Sequence, residues 1–133
     1  MAKSGEDAVL RARDHVPHFT VSALDGRRVV YTEIWQRRHL LLLCLSDDAA
    51  SRQYVDDVRA ALPDLDPDDV ALVATTEQVD GVPRPGVLIA DRWGEIVFVV
   101  EAADVRSLPP PAELREWLTF VQSRCPECEG EAL

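Results

Sequence analysis

A chain of 133 residues is long enough for one domain with a real core and too short for two. With 47% hydrophobic and 29% charged residues, its composition is that of an ordinary globular protein. The net charge of -10 repels phosphates, which argues against nonspecific binding to nucleic acid or to an anionic membrane and selects no partner.

The opening stretch, "MAKSGEDAVL" (1–10), lacks the apolar segment of a secretory leader. The most apolar run, "HLLLLCL" (39–45), is far too short to span a bilayer. The expectation is a cytoplasmic protein with no membrane partner, in a compartment where isolated disulfides are transient or catalytic. Its 3 cysteines do not form a disulfide scaffold.

In chain order, residues 1–14 read as a polar N-terminal extension. "VVYTEI" (29–34) reads as a strand end leading into a turn. "LLLLCL" (40–45) has strand length and no polar alternation, which suits a strand covered on both faces. After "SDDAAS", the positions Tyr54, Val55, Val58, Ala61 and Leu62 form one face of an amphipathic helix. Asp47 or Asp48 is expected to cap its start and Pro63 to end it. "VALVATT" (70–76) is a second buried strand. "GVLIAD" (86–91) and "EIVFVV" (95–100) read as a hairpin joined by "RWG". "SLPPP" (107–111) breaks the chain, and Leu114, Trp117, Leu118 and Val121 mark a last helix. The order β–α–β, β-hairpin, α is that of a thioredoxin-type α/β fold. It implies a three-layer domain over residues 15–124, with a mixed central sheet and flanking helices, followed by a tail at 125–133.

Local wording points the same way. "VPHFTVSALDGRRVVYTEIW" (16–35) resembles the opening of peroxiredoxins (the alkyl hydroperoxide reductase and thiol-specific antioxidant group) and of thioredoxin-like thiol-disulfide oxidoreductases. Pro17, Phe19, Leu24, Asp25 and Gly26 carry that likeness. "RRHLLLLCLS" (37–46) looks like the family's central strand. "VPRPGVLIADRWGEIVFV" (82–99) is similar to its second half, through Pro85, Asp91 and Gly94. The resemblance spans about residues 16–122. It implies a cis proline at Pro85, facing the active site.

It also implies a reactive cysteine just after the central strand, where the positive end of a helix stabilises a thiolate. The corresponding stretch, "LSDDAASRQY" (45–54), holds Asp47, Asp48 and Ser51 and no cysteine. A serine hydroxyl is far less acidic than a thiol and forms no disulfide, so ordinary peroxidase or disulfide-reductase chemistry is not expected there. Cys44 lies inside the apolar strand and reads as core.

The other thiols are Cys125 and Cys128, in "SRCPECEGEAL" (123–133), after a helix that Pro126 is expected to end. Three readings stand. A Cys-x-x-Cys pair can close a small reducible disulfide, although the helix C-terminus, Glu127 and Glu129 all disfavour a thiolate. Cys-Pro-x-Cys is also a common zinc half-site, completed by a second chain or by His15 and His18. Idle thiols are the third. "DLDPDD" (64–69) imitates a calcium loop but has Pro67 within it and Thr75 where a bidentate Glu belongs. The leading expectation is a redox-associated protein exchanging disulfides with a protein partner through Cys125 and Cys128, without a cofactor. The alternative is a non-catalytic interaction module, a homodimer sharing zinc through these cysteines.

Overall fold

The computed structural model describes residues 10–123. Six strands and two α-helices order as β1 (Thr20–Ser22), β2 (Arg28–Val30), β3 (His39–Cys44), α1 (Ala49–Ala61), β4 (Val70–Thr75), β5 (Gly86–Ala90), β6 (Ile96–Glu101) and α2 (Pro111–Ser123). Short 3-10 turns cover Tyr31–Glu33 and Val105–Ser107.

β3 sits inside a four-stranded sheet of order β4-β3-β5-β6. It pairs in parallel with β4 and antiparallel with β5, and β5 pairs antiparallel with β6. Leu40, Leu41, Leu42 and Leu43 are all 0% exposed. The pleat explains why no polar residue interrupts them. Leu41, Leu43 and Leu45 enter the core under α1 and α2. Leu40, Leu42 and Cys44 enter a second core with Val21, Tyr31 and Ile34. Both faces are covered, so both sets must be apolar.

The layer opposite the helices is the β1–β2 hairpin with its 3-10 turn. Gly26 takes φ 92 in the hairpin connection, a left-handed conformation that glycine adopts without steric cost. The two expected helices form. Asp48 caps α1, and Leu62, just before Pro63, follows its last residue. α2 begins on Pro111, where a missing N–H costs no helical bond. It buries Leu114, Leu118 and Val121, while Trp117 stacks on Phe98 with ring centroids 5.0 Å apart. Among the described residues, no helix is long and apolar enough to cross a membrane.

Two details differ from the sequence reading. β5 ends at Ala90 and β6 starts at Ile96, with a register shift at Ile89/Ala90, so their connection is longer than "RWG". The Asp91 carboxylate organises it, with Oδ1 accepting from the backbone N–H groups of Trp93 and Glu95 at 3.0 Å each. Residues 10–14, read as part of the polar extension, are tied to the domain. Leu10 N–H donates to the Gly81 carbonyl at 2.9 Å and Arg13 N–H to that of Ile96 at 2.7 Å.

Candidate functional site

The sheet register places the site. Cys44 at the end of β3 pairs with Gly86 at the start of β5. Pro85, one residue before Gly86, therefore stands level with the loop from β3 to α1. The Arg84–Pro85 peptide bond is cis. A Cβ on Gly86 would run into the Pro83 carbonyl oxygen, so only glycine fits behind Pro85. Pro85, Ser46, Asp48, Ser51, Asp104 and Arg106 line one cavity of about 320 Å³.

The start of α1 is closed by hydrogen bonds. The Asp48 side chain accepts from the Ser51 N–H at 2.7 Å, and the Ser46 N–H donates to Ser51 Oγ at 3.3 Å. Ser51 is buried and Asp48 is exposed. The bond from the Ser51 backbone, then one from its side chain, holds the Asp48 carboxyl below its ordinary value. Asp47 pairs with Arg52 on the outer surface. Asp48 and Ser51 thus occupy i and i+3 at a helix N-terminus, the spacing at which a Cys-x-x-Cys pair would hold its sulfurs. Asp48 satisfies a helix donor, Ser51 satisfies a loop N–H, and neither side chain carries a thiol to be oxidised.

Among the described residues, no histidine lines the cavity with Ser51. His18 Nδ1 lies 3.3 Å from the Thr32 hydroxyl, and its ring packs on Tyr31 and Trp35. His15 forms a backbone bridge to Glu95. His39 lies at the far end of β3. Cys44 is 0% exposed, and desolvation pushes its thiol up to about 12 against the opposing charge of Arg84.

Cys125 and Cys128 lie outside the described residues. What is described is where the chain leaves for them. α2 starts near the cavity, where the buried Tyr54 hydroxyl donates to the Pro109 carbonyl at 2.6 Å. At its other end, Gln122 Nε2 donates to Asp69 Oδ2 at 2.8 Å. Asp69 immediately precedes β4, and its carbonyl accepts from His39 N–H at 2.9 Å. α2 therefore ends at the pole of the sheet opposite Ser51 and Pro85.

That pole carries a polar cluster that pattern reading missed. Arg92 Nη2 reaches Asp69 Oδ1 at 2.9 Å and lies 3.3 Å from His39 Nε2. His39 is buried, and its imidazole is held below its ordinary value by desolvation first and then by the Arg92 charge, against Asp69 and Asp91. The one available signal was a histidine opening an otherwise apolar strand. Among the described residues no group of three or more His, Cys, Asp or Glu is placed to hold a metal ion.

No protein-family model matches this chain, and no curated protein does. Solved structures do. A thioredoxin-family thiol:disulfide interchange protein from Chlorobium tepidum superposes with TM-score 0.58 at 11% identity, covering 86% of this chain and 99% of its own. The thioredoxin domain of a thiol-disulfide oxidoreductase from Bacteroides vulgatus gives 0.53 at 11% identity, covering 81% and 98%. A thiol peroxidase from Chromobacterium violaceum gives 0.52 at 12% identity, covering 88% and 90%. These likenesses establish the thioredoxin-like fold. They do not single out peroxiredoxins within it, and activity does not follow from the fold.

Proposed function

We propose that this chain is a redox-associated thioredoxin-fold protein whose body has given up thiol chemistry at the helix start and whose exchangeable thiols are Cys125 and Cys128. The observation that carries this is Cys44. It is one of 3 cysteines and is sealed in the core with a thiol pushed up to about 12, so thiol chemistry falls to the other pair. In exchange, one tail thiolate attacks a partner disulfide, forms a mixed disulfide and expels the partner's first thiolate. The second tail thiolate then attacks the mixed disulfide. It closes the Cys125–Cys128 bond and releases the partner's second thiolate. The partner gains two electrons and the pair loses two.

The reading takes a protein partner, no nucleic acid, no membrane, no cofactor and a cytoplasmic setting.

A second reading is favoured by the hydrogen-bonded Asp48 and Ser51. It takes the chain as a non-catalytic interaction module, a homodimer with zinc held between the Cys125 and Cys128 pairs of two chains. One experiment separates the two. Insulin-disulfide reduction is measured for the chain and for a Cys125→Ser/Cys128→Ser variant, beside native mass spectrometry without chelator. Turnover lost only in the variant supports exchange. Turnover that survives the substitutions overturns it, and a zinc-bearing dimer without turnover favours the second reading.

A further inference from the structure

β4 is an outer strand of its sheet, and among the described residues no strand lies beyond it. The edge is closed toward its C-terminal end, where Leu24 N–H donates to the Ala74 carbonyl at 2.8 Å and Ala23 bridges to Thr75, and at its start, where Val70 N–H donates to the Asp66 carbonyl at 2.9 Å. Backbone groups of successive strand residues point to alternate sides. Thr75 gives its carbonyl inward to Leu45 N–H, and Ala74 gives its carbonyl outward. By that alternation the Leu72 N–H and C=O point outward as well.

A cavity of about 410 Å³ runs along this edge, between Val29 of β2 on one side and Leu62 and Leu65 on the other. The arginines 27, 28, 38 and 59 line it against Asp25 and Glu33, a positive excess in a chain of net charge -10. Arg27 pairs with Asp25 at 3.0 Å, and Arg38 Nη1 donates to the Pro67 carbonyl at 3.3 Å. Arg28 and Arg59 are exposed. The slot therefore combines a strand edge that is open at Leu72 among the described residues, apolar walls and cationic rims.

We propose that this slot docks an acidic, extended segment of a partner protein, which adds to the sheet as a strand beside β4. An open edge supplies main-chain hydrogen bonds, the walls take alternate apolar side chains, and the arginines take the carboxylates between them. A small anion would use the arginines alone and leave the Leu72 backbone and the walls unengaged. A second copy pairing β4 with β4 about a two-fold axis would set one chain's arginines against the other's. The proposal is independent of the thiols, and its test involves no thiol chemistry.

The test is fluorescence anisotropy of the full chain with a labelled synthetic peptide of alternating Glu and Val. Saturable binding is expected, with slowed hydrogen exchange at Leu72 N–H. Binding should weaken at least about tenfold in an Arg28→Glu/Arg59→Glu variant, since like charges oppose each other across the slot. Both arginines are on the surface, and the variant's circular dichroism should match the parent's. N-methylation of the peptide's valines, which leaves the protein untouched, should abolish binding. Equal binding of the N-methylated peptide, or of one alternating Lys and Val, overturns the proposal. So does a chain that protects Leu72 by self-association. It falls too if the chain binds no peptide until Glu127, Glu129 and Glu131 are changed to Lys, which would mean that residues 124–133 fill the slot.

Discussion

The carboxylate of Asp48 accepts a hydrogen bond from the backbone N–H of Ser51 at 2.7 Å, across the first turn of α1. That bond stands where a helix N-terminus would otherwise stabilise a thiolate. It caps the helix beside Pro85, in the same cavity. That geometry makes the site open to the introduction of thiols.

Asp48→Cys combined with Ser51→Cys should create disulfide-exchange activity. The helix N-terminus lowers a thiol pKa, and the i, i+3 spacing allows the two sulfurs to close a loop. Insulin-disulfide turnover should exceed that of the parent chain and should persist when Cys125 and Cys128 are both serine. No gain in turnover in a folded variant would show that more than the two sulfurs is missing.

Asp48→Ala should lower the thermal midpoint, and Asp48→Ser should restore most of the loss, because serine also caps. The folded carboxyl titrates below its ordinary value of 3.8, with the Ser51 backbone bond as the largest cause. A depressed carboxyl pKa stabilises the fold above the unfolded value. That contribution disappears as pH falls through the folded one. The parent and Asp48→Ala should therefore converge in stability under acid. Urea midpoints measured from neutral pH downward test this, and a constant gap would contradict it.

His39 should make the fold lose stability as the medium is acidified from neutral. Burial lowers its pKa from 6.5, so the unfolded chain binds a proton that the folded chain resists. Stability is complete above the unfolded value and declines as pH drops toward the folded one. In His39→Gln the slope of denaturation midpoint against pH should flatten over that window. An unchanged slope would assign the acid sensitivity to other groups.

Tyr54→Phe should cost about 1 kcal/mol in urea denaturation, because it removes the 2.6 Å bond from the buried hydroxyl to the Pro109 carbonyl. The bond ties α1 to the turn that launches α2. The thiol of Cys44 should stay unreactive toward Ellman's reagent in the variant. Fast labelling of Cys44 would mean that the bond holds the core shut.

Legibility followed locality. The unbroken Leu40–Leu45 run showed β3 because burial on both faces removes every polar position. The Asp-rich start of α1 showed its cap, and the absence of a cysteine there was visible without coordinates. β1 was not visible, since Thr20–Ser22 buries one side chain and has no period to read. The Asp69 cluster was hidden for a different reason. Its partners Arg92 and Gln122 lie 23 and 53 residues away, and no local pattern links them.

By itself the sequence determined the order of the four central strands and the two helices, the apolar runs that fill both faces of the sheet, and a helix start without a thiol. These follow from side-chain period, capping chemistry and residue identity, all readable within a few positions. Only the tertiary structure decided that Pro85 and Ser51 share a cavity, that α2 ends at the far pole, and that arginines from the hairpin and from α1 converge on the β4 edge. Each depends on register between distant strands and on which layer a segment packs against. Those choices are made by the whole sheet at once, because a shift of one residue in the pairing would turn every side chain to the other face.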